Sequence, residues 1–247
     1  MHEISIKAEE LFYFLGLPVT NALLLAVVVG ITLISLALYI KFKKKLSLVP
    51  SGIQNFIELL LEELLSLMDS VLGSRHLSEK YLPLIATVFI FILTSNWFGL
   101  LPVVGAVGLK EHGSNVLLPI FRSPASDLNF TIALAAISIM GVNIFGTLAL
   151  GVKKHFSKFF TLRDPVFSFV GVLEFISEFI KIISFSFRLF GNVFAGEVLL
   201  VIVGFLVPYV IPLPFLFLEI FVGFIQAFIF SMLTLVFISM AVKEEAH

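Results

Sequence analysis

Three charged side chains stand in an otherwise apolar stretch near the end of the sequence: between residues 182 and 242 they are Arg188, Glu197 and Glu219. A charge near the bilayer centre costs at least about 2.5–3.5 kcal/mol, so each is a candidate functional residue. The alternatives are that Arg188 extends to the lipid headgroups, or that the two glutamates form a structural pair or lie near an interface. The long apolar segment after Arg188 argues against the first alternative.

The helical phase around Arg188 gathers small and polar residues on one side of a helix, at about 100° per residue. This stripe consists of Lys181, Ser184, Arg188, Gly191, Asn192 and Ala195, and Glu174 and Glu178 extend it. Small residues let a neighbouring helix approach closely in a membrane. The stripe therefore predicts a contact surface for another helix that carries a carboxylate.

Glu197 lies about 180° round the same helix from Arg188 and about 13 Å along it. On the following helix Glu219, Gly223 and Gln226 form a second polar stripe, so we expect Glu219 to meet Glu197 behind the first helix. Two carboxylates in one site of low dielectric hold one proton between them, which predicts a proton relay. Arg188 is a fixed positive charge, because a guanidinium does not deprotonate in proteins.

The composition defines the class of protein. Of the 247 residues, 59% are hydrophobic and 13% are charged, against about 25% charged in soluble domains, and the mean hydropathy is +1.10. Several runs exceed the roughly 20 apolar residues that cross a bilayer. The net charge of −1 argues against a nucleic-acid partner, and the chain has no cysteine. We expect no nucleotide site and no cofactor.

The apolar runs predict an all-α integral membrane protein with about five membrane helices and one interfacial amphipathic helix, in a single membrane domain over residues 1–247. The spans are 20–40, 81–101 and 129–152, the interfacial helix is 53–72, and two long helices cover 166–207 and 215–242. An unbroken helix over 166–207 would be about 60 Å long, twice the hydrocarbon thickness. The last two helices are therefore expected to form a long, strongly tilted hairpin.

Basic residues predict the orientation of the chain. Lys41, Lys43, Lys44 and Lys45 follow the first span, and Lys153, Lys154, Lys158 and Arg163 follow the third. Because Lys and Arg accumulate on the cytoplasmic side, the N-terminus should face outward and the C-terminus the cytoplasm.

The helix over 53–72 is acidic on one face. Its polar residues recur every three or four positions: Asn55, Glu58, Glu62, Ser66 and Asp69. Interfacial helices that bind anionic lipid usually carry Lys and Arg instead. A face packed on a partner protein is therefore favoured over one packed on headgroups.

Five segments of the chain resemble subunit a of the F-type ATP synthases. The most specific are SFSFRLFGNVFAGE (184–197) and FIQAFIFSMLTLVFISMA (224–241), supported by LVPSGIQNFIE (48–58), SNWFGLLP (95–102) and PASDLNFT (124–131). The resemblance implies a proton-conducting stator subunit with two offset half-channels, standing beside a ring of c subunits that carry membrane carboxylates. It also implies peripheral-stalk b subunits, placed here on helix 53–72, and ATP chemistry on partner subunits only.

By the same resemblance, Arg188 is the essential cation facing the ring, with Asn192 and Gln226 close to it. Glu197 and Glu219 line the outer half-channel. Asp127 matches an acidic position at its mouth, or is the N-cap of the third span.

Alternatives to this function remain open in the sequence. A self-contained secondary transporter or channel would show internal repeats or broken helices in matched halves, and a non-conducting scaffold would leave Arg188 and both glutamates unexplained. H⁺ versus Na⁺ stays open. The family favours a bacterial inner membrane over an organelle membrane.

Overall fold

Six long α-helices make up most of the computed structural model, which describes residues 8–14, 16–43, 52–102, 104, 107–110, 117–152, 165–207 and 210–243. In chain order they are α1 (Asn21–Lys43), α2 (Ile53–Leu72), α3 (Arg75–Gly99), α4 (Leu128–Leu150), α5 (Pro165–Leu206) and α6 (Pro212–Lys243). Within these ranges, five helices are long and apolar enough to cross a membrane, and α2 is the exception. The predicted class, an all-α membrane protein, is confirmed.

Two short β-hairpins were not expected from the sequence. Strands β1 (Glu10–Phe14) and β2 (Leu17–Thr20) pair before α1, and β3 (Gly108–Lys110) pairs with β4 (Leu117–Pro119) between α3 and α4. Strands of three to five residues are too short for an alternating pattern to identify them. A 3₁₀ turn (Pro124–Ser126) then leads into α4.

A tight turn joins α2 to α3 and moves the start of the second span from the predicted Tyr81 to Arg75. Gly73 ends α2 with φ +72°, a conformation that favours glycine, and its N–H donates to the Asp69 carbonyl over 2.8 Å. The polar residues that follow form the first turns of α3 instead of a loop. Arg75 stabilises this start through ion pairs with Asp69 (3.0 Å) and Glu79 (3.4 Å).

Of the two long helices at the end of the chain, α5 has the predicted length and α6 is four residues longer than predicted. α5 has 42 residues and is therefore about 63 Å long, while α6 has 32 residues and measures about 48 Å. α6 begins at Pro212, earlier than predicted, because prolines are tolerated in the first helical turn, where the missing N–H has no helical partner. The tilt of this hairpin in a bilayer stays a prediction.

The helices pack around two buried apolar clusters. One joins α3, α4, α5 and α6 and includes Ile92, Ala135, Phe185, Leu189 and Phe230. The other lies under α2 and includes Leu64, Met68, Tyr81, Leu235 and Ile238. The apolar face of α2 is thus turned inward, and its acidic residues Glu58, Glu62 and Glu63 are exposed.

Several predictions fall on residues that the structure does not describe. These are the cations after the first and third spans (Lys44, Lys45, Lys153, Lys154, Lys158 and Arg163) and residues 48–51 of one family-like segment. The predicted orientation therefore stays a prediction.

Candidate functional site

Arg188 lies on a face of α5 that the described part of the chain leaves uncovered. Ser184, Arg188, Gly191, Asn192 and Ala195 are all exposed there. Arg188 makes no hydrogen bond or ion pair with any described residue. Charged side chains on membrane helices usually pair with another group, so this face is a candidate contact surface.

Contacts on the opposite side of α5 determine how this helix is rotated about its own axis. Phe185 and Leu189 are buried in the core, and the Phe185 ring lies 4.7 Å from that of Phe230 on α6. The hydroxyls of Ser186 and Thr131 share a hydrogen bond of 2.9 Å between α5 and α4. The outward position of Arg188 is thus set by packing on the other face.

A cavity of about 340 Å³ lies farther along α5, and we call it the Glu197 cavity. Its walls come from the N-terminal segment, the end of α3, the 119–123 segment, α5 and α6. Its polar and charged lining residues are Glu9, Asn21, Asn96, Arg122, Ser123, Glu197 and Glu219. The structure therefore brings Glu197 and Glu219 into one cavity.

Arg122 is the cation of this cavity, and its place there was not predicted from the sequence. Its Nε lies 3.6 Å from Glu197 Oε1 and donates to Ser126 Oγ over 3.1 Å. The guanidinium also lies 6.0 Å from the centre of the Phe194 ring. The Arg122 side chain is 9% exposed and that of Glu197 is 38% exposed. The loop before α4 thus supplies the counter-charge to a carboxylate on α5.

Glu219 is buried, 9% exposed, and its carboxylate packs on Gly196 of α5. A Cβ at position 196 would overlap the carboxyl group of Glu219. Glycine is therefore required for the Glu219 carboxylate to pack on α5 at this position. Gly196 immediately precedes Glu197 in the sequence. Its contact with Glu219 depends on how the two helices pack, so the sequence alone did not predict it.

Asn96 and Trp97 hold the end of α3 against α6 at the cavity wall. The Asn96 amide donates to the Gly223 carbonyl over 3.1 Å, and the Trp97 indole donates to the Ile220 carbonyl over 3.1 Å. Within the described residues, Asn96 Oδ1, Ser123 Oγ and Glu197 Oε2 are buried without a hydrogen-bond partner. Buried polar atoms normally find a partner, so these three suit a cavity that admits water.

The remaining predicted site residues lie outside the lining of this cavity. Gln226 is buried on α6. The next residue, Ala227, belongs to the same core cluster as Phe185 and Leu189, which flank Arg188 along α5. Asp127 is buried and caps α4, because its Oδ1 accepts the Asn129 N–H over 2.9 Å. The N-cap alternative for Asp127 is present in the structure, and its place on a proton path stays a prediction.

A second polar cluster lies on the other side of Arg188 along α5. Lys181 Nζ lies 2.7 Å from Glu178 Oε1, and the Asn143 amide of α4 donates to Glu178 Oε2 over 3.2 Å. Glu178 lies about 15 Å along the helix from Arg188, and Glu197 about 13 Å in the other direction. Arg188 thus stands between two groups of titratable side chains.

These features define a class of protein: a multi-pass helical membrane protein with carboxylates inside the bundle and a fixed cation on its surface. Among the described residues, no group of three or more His, Asp or Glu side chains is arranged to hold a metal ion.

Comparison with known proteins identifies the family. The family model described as ATP synthase A chain matches residues 22–239. The "ATP synthase subunit a" of Mycobacterium tuberculosis is 34% identical over 250 residues, covering 99% of this chain and 96% of that protein. The protein of that name from Moorella thermoacetica is 33% identical, covering 95% and 96%, and that from Campylobacter fetus is 36% identical, covering 83% of each.

The chain belongs to the ATP synthase A chain family. It is a multi-pass membrane protein of the ATP synthase membrane sector.

Proposed function

We propose that this chain is the ion-conducting stator subunit of a rotary F-type ATP synthase, with Arg188 facing a ring of c subunits. The observation that carries the proposal is the exposed stripe around Arg188. Its small residues suit close approach of a ring helix, and its cation suits a ring carboxylate. The relatives named "ATP synthase subunit a" support the same role.

Arg188 acts on the ring carboxyl groups. A protonated carboxyl is neutral and tolerates lipid, whereas an ionised one does not. Beside Arg188 the ionised form is stabilised, so a ring carboxyl releases its proton there. Because the guanidinium of Arg188 does not give up a proton, Arg188 cannot relay protons. It therefore blocks direct proton transfer between the two half-channels.

The Glu197 cavity is proposed as the outer half-channel. Glu197 and Glu219 hold and pass protons, Asn96 and the unpaired oxygen atoms order water between them, and Arg122 balances the charge of Glu197. The cluster of Glu178, Lys181 and Asn143 is the corresponding candidate on the inner side. Asn192 and Gln226 are proposed as polar companions of Arg188.

In this proposal the chain performs no ATP chemistry itself. That chemistry takes place on partner subunits. The exposed acidic face of α2 is the proposed contact of the peripheral-stalk b subunits. The bacterial relatives support an inner-membrane location, with the N-terminus outside and H⁺ as the proposed ion.

Reconstitution in liposomes separates this function from that of a self-contained transporter. A stator subunit alone should give only background ion flux, and joining it with its ring should restore driven transport. Substantial coupled transport by the isolated chain would contradict the proposal.

A further inference from the structure

The N-terminal segment reaches the Glu197 cavity. Glu9 and Asn21 contribute to its lining together with Glu197 and Glu219, which come from the C-terminal hairpin. Glu9 lies just before strand β1, far from those glutamates in the sequence. A half-buried carboxylate from a distant segment therefore shares a cavity with the two proposed proton-carrying residues.

Asn21 holds Glu9 at the cavity wall. The backbone N–H of Asn21 donates to the Glu9 carbonyl over 3.1 Å, and its side-chain amide lies 3.5 Å from a Glu9 carboxylate oxygen. The same amide donates to the Pro119 carbonyl over 3.3 Å, and Asn21 is 0% exposed. Glu9 is thus connected through Asn21 to the start of α1 and to the segment that carries Arg122.

The neighbouring residue has the same chemistry and a different environment. Glu10 is exposed on β1, and its carboxylate accepts the Tyr13 hydroxyl over 2.6 Å. Glu10 is not among the residues that line the cavity. The chain therefore offers a matched pair of adjacent glutamates, of which only Glu9 contributes to the cavity wall.

We propose that Glu9 is the first carboxylate to take up a proton on the way into the Glu197 cavity, and that the N-terminal strands form a wall of this access route. The proposal rests on the proposed function. A proton from outside water binds the Glu9 carboxylate and then passes through water to Glu197 or Glu219, which leaves Glu9 ionised again.

The charges of the cavity favour this role. Glu9, Glu197 and Glu219 supply three carboxylates against the single guanidinium of Arg122 among the described lining residues. A cleft lined by an excess of one charge raises the local concentration of the opposite ion and its capture rate. Arg122 is within ion-pair distance of Glu197, and Glu9 adds its carboxylate to the lining from the N-terminal segment.

A purely structural role for Glu9 makes a different prediction. In Glu9→Gln the side-chain oxygen still accepts from the Asn21 amide, and the backbone bond from Asn21 is unchanged. This variant keeps the tether and removes the proton acceptor. Glu9→Asp keeps the acceptor.

The test is passive proton flux through the assembled membrane sector in vesicles stripped of the catalytic subunits, driven by a potassium diffusion potential. Glu9→Gln should lower the flux roughly threefold through loss of one attracting charge, with a larger ratio at alkaline pH, where protons are scarce. Glu9→Asp should retain most of the flux, and Glu10→Gln should match the unaltered protein. The amount of chain in the same vesicles provides the assembly control.

Equal flux in Glu9→Gln and Glu10→Gln at every pH would overturn the inference. It would also be overturned if Glu9→Gln and Glu9→Asp lost flux equally and in proportion to lost assembly, since the role would then be structural. Parallel ATP-driven pumping by Arg188→Ala separates the two proposals. Normal pumping there would refute the proposed function, whereas a pumping defect with unchanged Glu9→Gln flux would refute only the inference.

Discussion

Arg122 and Arg188 are the same residue type in opposite environments. Arg122 is buried at the Glu197 cavity, where its guanidinium meets Glu197, Ser126 and the Phe194 ring. Arg188 is exposed on α5 and makes no polar contact with any described residue. The fold gives the first cation partners within the chain and gives the second none among the described residues.

This difference separates two uses of a charged side chain in a membrane protein. A cation with partners inside the subunit contributes to the stability of that subunit, whereas a cation exposed on a membrane helix is expected to pair with a group on another surface. The two arginines should therefore respond to mutation in different assays, one in the isolated chain and the other in the complex.

The largest effect is expected for Arg188. Arg188→Ala should reduce ATP-driven proton pumping to background, and Arg188→Lys should fail almost as badly, because an ammonium can lose its proton and a guanidinium does not. Acidification of inverted vesicles measures the pumping. Arg75→Ala is the control, since it removes only exposed ion pairs worth about 0–1 kcal/mol. Near-normal pumping by the lysine variant would contradict the fixed-cation account.

The two cavity glutamates should differ in the same assay. Glu219→Gln should slow pumping about 100-fold, as for loss of a positioned proton carrier, and Glu197→Gln roughly tenfold. The reason is exposure: Glu219 is buried, whereas the Glu197 side chain is 38% exposed, so water can replace it more readily. A normal rate in Glu197→Gln would remove that residue from the path.

Gly196→Ala tests the contact between the two helices of the hairpin. The added methyl group overlaps the Glu219 carboxylate, and overpacking of this kind costs about 1–3 kcal/mol. The matched control is Gly204→Ala on the same helix, where an added Cβ meets nothing within 4 Å. Thermal unfolding in detergent should separate the two variants, and equal midpoints would show that Glu219 does not pack on Gly196.

Arg122→Gln and Arg188→Gln compare the two cations directly in the isolated chain. Arg122→Gln leaves the Glu197 carboxylate without its cation and should cost about 1–2 kcal/mol, less than the 3–5 kcal/mol of a fully buried pair, because Glu197 is partly exposed. Arg188→Gln should leave stability unchanged. Unfolding can be followed through the single tryptophan, Trp97, whose indole donates to the Ile220 carbonyl of α6. Equal losses in both variants would contradict the comparison.

The smallest effect is expected for Asp127, which is interpreted either as the N-cap of α4 or as a residue of the proton path. The two interpretations predict different pumping rates for Asp127→Asn. Asp127→Ala removes the N-cap and should cost about 1 kcal/mol, whereas Asp127→Asn keeps a capping oxygen and should be close to neutral. Pumping measured beside stability decides between them. A stable Asp127→Asn variant with impaired pumping would assign Asp127 to the proton path.

The sequence predicted what depends on local pattern. Runs of apolar residues identified the helices, and the phase of one helix grouped Arg188 with Asn192 and set Glu197 on the other side. These inferences need only the pitch of a helix and the cost of a buried charge. The predicted helix ends agree with the structure to within three residues, except at the start of α3.

The sequence did not predict contacts between distant segments. No periodicity links Arg122 to Glu197, or Glu9 to Asn21 and the cavity, because these contacts depend on how loops fold over the end of the bundle. The start of α3 was also missed, because its polar first turns resemble a loop until the ion pairs of Arg75 are seen.

The most direct test of the central claim is disulfide cross-linking between the Arg188 face and the ring. The chain contains no cysteine, so Asn192→Cys on the stripe can be paired with a cysteine one turn from the ring carboxylate. The control is Ile183→Cys, which is also exposed in the isolated chain, at 55%, but lies on another side of α5. The account predicts rapid cross-linking at position 192 and little at 183, and the reverse result would contradict it.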